Sequence, residues 1–217
     1  MALCSRSFVA VFLLSAIAAS AQQSAPIVQP GAPGQPGKFL TETTVRTPPR
    51  PPFQADVEFM QGMIMHHSQA VEMVALLRTH GKSPILKSFG EKISVSQTDE
   101  IGFMKRWLES RGKPTTMEMD HSQMNAAGMK NMNMLMPGML TPEQMAALTK
   151  AKGAQFDHLF LTGMIQHHGG ALTMVTDLFN TPGAGQDPVL FDFATDIENT
   201  QSAEIKIMRG MLDKEKQ

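Results

Sequence analysis

Cysteine is nearly absent from this chain. The single thiol is Cys4, tryptophan occurs once and tyrosine not at all. With no cysteine pair there is no disulfide to staple the fold and no disulfide redox motif. Charge is sparse too, with 19 Lys and Arg against 20 Asp and Glu for a net of −1. Its scattered signs exclude the basic stripes of nucleic-acid binders and the charge blocks that seek anionic lipid. There is no phosphate loop and no nucleophile–base arrangement, so nothing argues for catalysis without a metal.

The segment 1–21 reads as a secretory signal peptide. Arg6 supplies the basic start, Ser7 to Ala18 the apolar run, and Ala19-Ser20-Ala21 the small-residue cleavage site. That run is too short to span a bilayer as a helix. The expectation is a periplasmic or secreted protein, free of the membrane after processing and free of Cys4. Residues 22–53, rich in Pro, Gly, Gln and Thr, read as a disordered linker.

What the chain does hold is methionine, 19 residues against 12 Phe, and a repeat. Asp56 to Val74 and Asp157 to Val175 share Asp, Phe, Gly, Met, Ile, His, His, Ala, Met and Val at a constant offset of 101. Downstream the offset becomes 104, matching Ser83-Pro84 to Asp187-Pro188 and Phe89, Ile93, Gln97, Glu100, Ile101, Met104 and Leu108 to Phe193 through Leu212. Apolar residues recur at helical spacing in both arms. Ser83-Pro84 marks one helix start and Thr141-Pro142-Glu143-Gln144 another, the latter as a capping box. Two helical hairpins, each with one apolar face, bury those faces by packing together as an all-α, antiparallel, ferritin-like four-helix bundle. The predicted domain spans 54–215: repeat one at 54–112, a Met-rich connector at 113–140 and repeat two at 141–215.

Helical phase sorts the candidate ligands. At about 100° per residue, Asp56, Met63, His67 and Val74 share the inward arc, while His66 lies roughly 80° away on a flank with Met73 and Gly62. The second copy repeats this with Asp157, Met164, His168, His167 and Met174. On the next helices Glu100 and Gln97, and likewise Glu204 and Gln201, turn toward the core beside Met104 and Met208. Buried carboxylates are costly unless paired or metal-bound. Thioether sulfur suits Cu(I), and imidazole serves copper in both oxidation states. In the connector, Met119, His121 and Met124 add a His among methionines. The candidate metal ligands are therefore Met63, His66, His67, Met73, Met164, His167, His168, Met174, Met119, His121 and Met124. Asp56, Gln97, Glu100, Met104, Asp157, Gln201, Glu204 and Met208 form a supporting or alternative set. The inner histidines are expected to make a harder site with carboxylates, the flank histidines a softer outer one.

The favoured cofactor is copper, Cu(I) first and Cu(II) second. Iron is the alternative, disfavoured because Gln97–Glu100 and Gln201–Glu204 lack the Glu-x-x-His of di-iron bundles. Two rival functions stay open: a ferritin-like oxidase or peroxide-consuming enzyme, and a structural module whose polar core only sets register.

The duplicated GMI-x-HH-x-x-A-x-x-M segment, the Q-x-x-EI-x-x-M helix and the MPGM segment resemble the domain-of-unknown-function (DUF) family 305. The resemblance covers about Asp56 to Leu212. It implies a ferritin-like helical bundle and, by analogy with its CopM-type periplasmic members, copper binding. The motif positions carried over are Met63, His66, His67, Met73, Gln97, Glu100 and Met104, with Met164, His167, His168, Met174, Gln201, Glu204 and Met208 in the second copy. Metal ions, with a copper donor or acceptor protein, are the expected partners.

Overall fold

The computed structural model describes residues 27–30, 35–40, 51–117 and 135–215. The signal segment and the connector residues Met119, His121 and Met124 lie outside the described residues. The chain divides into two compact units, 1–50 and 51–217. In the first, where the sequence reading expects no packed structure, strands β1 (Ile27–Gln29) and β2 (Lys38–Leu40) pair antiparallel. Branched and aromatic residues in the sequence, Ile27, Val28 and Phe39, suit such paired strands.

The second unit is helical: α1 (Gln54–His80), α2 (Pro84–Glu109), the short α3 (Pro142–Lys150), α4 (Gly153–Asn180) and α5 (Pro188–Glu215). Local chemistry sets the boundaries. Ser83 Oγ accepts from Leu86 N with Pro84 in the first turn, and Thr141 and Gln144 close a reciprocal capping box. Asp187 caps α5 by accepting from Val189 N and Leu190 N, and it also receives Arg111 Nη2 from the end of α2 at 2.6 Å. α1 pairs with α2, α4 with α5, and the two repeats meet along α1 and α4. This is the antiparallel four-helix bundle expected from the duplication, with α3 as a brace on α4.

The core has three tiers. One apolar cluster joins Met60, Met63, Met104 and Leu108 to Val175, Leu178, Leu190 and Ile197. The other joins Val74, Leu77, Leu86 and Ile93 to Phe156, Phe160, Met164 and Met208. Each bundle helix passes from one cluster to the other at its own His or Gln: His66-His67, Gln97, His167-His168 and Gln201, all 2 % exposed or less. A polar layer thus cuts the hydrophobic core in two, where apolar side chains would bury at lower cost.

The repeats are laced at their ends by two aspartates. Asp56 on α1 accepts from Gly185 N at 2.7 Å, in the turn between α4 and α5. Asp157 on α4 accepts from Lys82 N at 2.9 Å and Ser83 N at 2.8 Å, in the turn between α1 and α2. Each carboxylate satisfies the turn of the opposite hairpin. Removing one leaves part-buried N–H groups without their partners, so Asp157→Ala should cost about 1 kcal/mol or more in a urea titration.

Candidate metal centre

The four histidines of the two His-His pairs are fully buried, each at 0 % exposure. His67 Nε2 lies 2.6 Å from Glu100 Oε2, and His168 Nε2 lies 2.7 Å from Glu204 Oε2, each bond crossing within its own hairpin. His66 Nε2 lies 3.0 Å from the Pro137 carbonyl, and His167 Nε2 lies 2.8 Å from the carbonyl of His66. The rings of His66 and His167 meet across the α1–α4 contact, tilted by 38° with centroids 3.7 Å apart.

These partners decide the tautomers. A carbonyl or carboxylate oxygen only accepts, so each Nε2 carries the proton and donates it. Burial, and after it the neighbouring His67, push the His66 imidazole down to about 3. Burial first, then His66 and His168, push His167 well below the ordinary histidine value. Both are neutral at physiological pH, and a neutral imidazole with Nε2–H presents a bare lone pair at Nδ1.

Those lone pairs find no protein partner. Among the described residues, the buried side-chain polar atoms without a hydrogen bond are the Nδ1 atoms of His66, His67, His167 and His168 and both amide atoms of Gln97 and Gln201. Native cores leave few such atoms, and here all eight belong to one duplicated set. An imidazole whose far nitrogen donates to a carboxylate or carbonyl while the near one stays bare has the arrangement that metal-bound histidines adopt. No three His, Cys, Asp or Glu side chains among the described residues gather as one ligand group. A metal held here would need thioether or amide donors beside imidazole.

Buried thioethers stand on the same four helices. Met63, Met73, Met104, Met164 and Met208 are 0 % exposed and Met174 is 8 % exposed. Met73 and Met174 are exchanged between repeats: the Met174 methyl lies 3.4 Å from where a Cβ on Gly62 would sit, and the Met73 methyl 3.3 Å from the same point on Gly163. The glycine of each GMI motif makes room for the other copy's methionine.

Sequence reasoning missed the residues that cover this layer. The loop Met136–Leu140 is clamped in the α1–α4 groove. Gln69 holds Leu140 through both its amide atoms, at 2.7 and 3.0 Å, and Gln166 reaches the carbonyls of Gly138 and Met139. The loop backbone presses on α4 so closely that a Cβ on Gly170 would sit 1.8 Å from the Pro137 oxygen. Gly169-Gly170, legible only as a weak place in a helix, is thus the seat of a loop. The MPGM segment was visible, but not what it lies on.

Two expectations need correction. His66 and His167 do not form an outer site, because the opposite repeat and the Pro137 loop cover the flank they occupy. Asp56 and Asp157 do not accompany the inner histidines. They lie eleven residues before His67 and His168, with their oxygens turned to the end turns.

The repeats also differ at the surface. Over Glu100, a groove of about 470 Å³ between α2 and α5 carries Asp99, Asp192 and Asp196. At the equivalent positions around Glu204 stand Ala203, Ser88 and Lys92. One half therefore opens through an acidic mouth and the other does not.

The fold and the layer define a duplicated antiparallel four-helix bundle with an internal His/Gln tier. The chain belongs to the DUF305 family, a domain of unknown function, whose family model matches residues 56–212. It is similar to a DUF305 protein from Streptomyces coelicolor described as secreted, at 28 % identity and a TM-score of 0.61, covering 74 % of this chain and 93 % of that one. It is also similar to CopM in its Cu(I)-bound form, at 27 % identity and a TM-score of 0.55, covering 73 % of this chain and 96 % of that one. CopM has been solved with Cu(II) and with silver as well. The uncharacterised protein L153 of Acanthamoeba polyphaga mimivirus is 36 % identical over 59 residues, so the chain spans about two fifths (39 %) of that relative's length.

Proposed function

We propose that this protein is an exported copper-binding protein that sequesters or passes on Cu(I), and Cu(II) as a second species, through the imidazole Nδ1 atoms of its central layer and the methionines around them. The observation that carries the reading is the set of eight buried polar atoms without a protein partner. A layer that only set helix register would pair those atoms with one another. The resemblance to CopM, whose structures hold Cu(I), Cu(II) and silver, supports the choice of metal. Ligand softness supports it too, since buried thioethers suit Cu(I) and not the hard cations.

Glu100 and Glu204 act here as acceptors that fix ring orientation and raise imidazole basicity. The acidic mouth over Glu100 concentrates cations at one end of that relay. An oxidase or di-iron reading loses support, because two of the four carboxylates it would use are spent at the end turns. The leader reading and the similarity to a relative described as secreted support an exported location. No described helix is long and apolar enough to cross a membrane.

The test is an anaerobic Cu(I) titration against a strong competing chelator. Intact protein should compete, and His66→Ala with His167→Ala should compete far less. Glu100→Gln should weaken binding about 10- to 100-fold while leaving the helical spectrum unchanged. Failure of the intact protein to compete, for Cu(I) and for Cu(II), would overturn the reading in favour of a purely structural core.

A further inference from the structure

The two halves of the layer are not equal in thioethers. At Gly62, the point where a Cβ would sit has the Met117 methyl at 3.3 Å, the Met136 sulfur at 3.3 Å and the Met174 methyl at 3.4 Å. Three methionine ends from three separate segments thus meet within 3.4 Å of one point. At Gly163, the matching point has the Met73 methyl at 3.3 Å but the Leu140 methyls at 3.0 and 3.5 Å. Leucine fills the second half where methionines gather in the first.

The gathering is built by the surrounding structure. Gln61, 6 % exposed, donates its amide N–H groups to the carbonyls of Pro114 and Thr116 at 2.8 and 3.0 Å, which holds Met117 against α1. Met136 precedes Pro137, whose carbonyl receives His66 Nε2–H and whose loop is seated on Gly170. Met174 comes from α4 of the other repeat. Gly62 lies one turn before His66 on the same face, and helical side chains lean toward the preceding turn. The bare Nδ1 of His66 therefore belongs to the same neighbourhood. A cleft of about 540 Å³ lined by Gln54, Glu58, Gln61 and Lys113 opens at the surface beside Met117.

We propose that Met117, Met136 and Met174 form a thioether site over Gly62 for a soft monovalent cation, Cu(I) or Ag(I), with no counterpart over Gly163. Methionine turns freely about its last bonds, so the two methyl-first side chains can turn their sulfurs toward the Met136 sulfur in the space above Gly62. Three neutral thioethers bind a soft monovalent ion and discriminate against Cu(II), which favours nitrogen and oxygen donors. Met117 is the first methionine of the Met-rich connector and Met136 one of its last. The site rests on the copper reading above, deepens it, and can fail separately.

The experiment titrates Ag(I), and anaerobically Cu(I), into the full mature chain and into a variant carrying Met117→Leu, Met136→Leu and Met174→Leu. Leucine nearly conserves methionine's volume, and circular dichroism with a melting curve verifies the fold. The variant is expected to lose one Ag(I) equivalent or to bind Cu(I) about tenfold or more weakly, with Cu(II) binding unchanged. Copper X-ray absorption should lose sulfur scatterers in parallel. A second variant, Leu140→Met, should gain soft-cation affinity by restoring a thioether over Gly163. If the intact chain takes up neither ion, the copper reading falls and this site with it. If the intact chain binds and the triple variant matches it in stoichiometry, affinity and sulfur scattering, the thioether site alone is overturned.

Discussion

Gly170→Ala is expected to be among the most damaging single substitutions in this protein, and Gly169→Ala beside it to be harmless or stabilising. A Cβ at 170 would lie 1.8 Å from the Pro137 oxygen and 2.3 Å from its carbon, and neither is the end of a flexible side chain. The loop must lift off α4. That leaves His66 Nε2–H buried without its acceptor and breaks the two bonds between Gln69 and Leu140. An orphaned buried donor costs about 1–3 kcal/mol, so the sum should reach roughly 3 kcal/mol or more. For a domain of this size that lowers Tm by roughly 6–12 °C. At Gly169 a Cβ would meet nothing within 4 Å, so alanine should add roughly 0.5–1 kcal/mol by helix propensity. Melting curves of the two variants decide the matter. Equal tolerance at both positions would show that the loop is not seated on α4.

The second large effect is acid sensitivity of the metal-free protein. His66 is held down to about 3 and His167 well below its ordinary value, in both cases first by burial. In the unfolded chain both would titrate near the ordinary value of 6.5. As pH falls below that value the unfolded state binds protons that the folded state refuses, so stability falls with pH. Well above the ordinary value of 6.5 the two groups contribute little slope. Below about 6 each approaches a limit of about 1.4 kcal/mol per pH unit. Urea midpoints of chelator-treated protein between pH 7.5 and 5 should show the decline, and His66→Gln with His167→Gln should flatten it. A midpoint independent of pH in the unsubstituted protein would mean that these rings are not buried neutral.

Much of the fold was legible because its causes are local. Apolar spacing, Ser83-Pro84, the Thr141–Gln144 capping box and the shift of offset from 101 to 104 located the helices and the duplication. What escaped depends on contacts far apart in the chain. Asp56 meets Gly185 across 129 residues, and no periodicity reveals that a first-turn aspartate serves the other hairpin's turn. Helical phase correctly separated His66 from His67, whose Nε2 partners are Pro137 and Glu100. It could not say what covers a flank, so His66 was expected outside and lies sealed between repeats. The exchange of Met73 and Met174 over the partner glycines was invisible for the same reason.

The central claim is that the Nδ1 atoms of His66, His67, His167 and His168 are the nitrogen donors to copper. Long-range ¹⁵N–¹H NMR of the histidine rings tests it directly, using Ag(I) as a diamagnetic stand-in for Cu(I). Before metal, the His66 and His167 rings should show the Nε2–H tautomer with unprotonated Nδ1. On titration the four Nδ1 signals should shift as silver is taken up, while His80 and His158 keep theirs. Uptake of silver with all four Nδ1 signals unmoved would contradict the account and leave the layer a structural one.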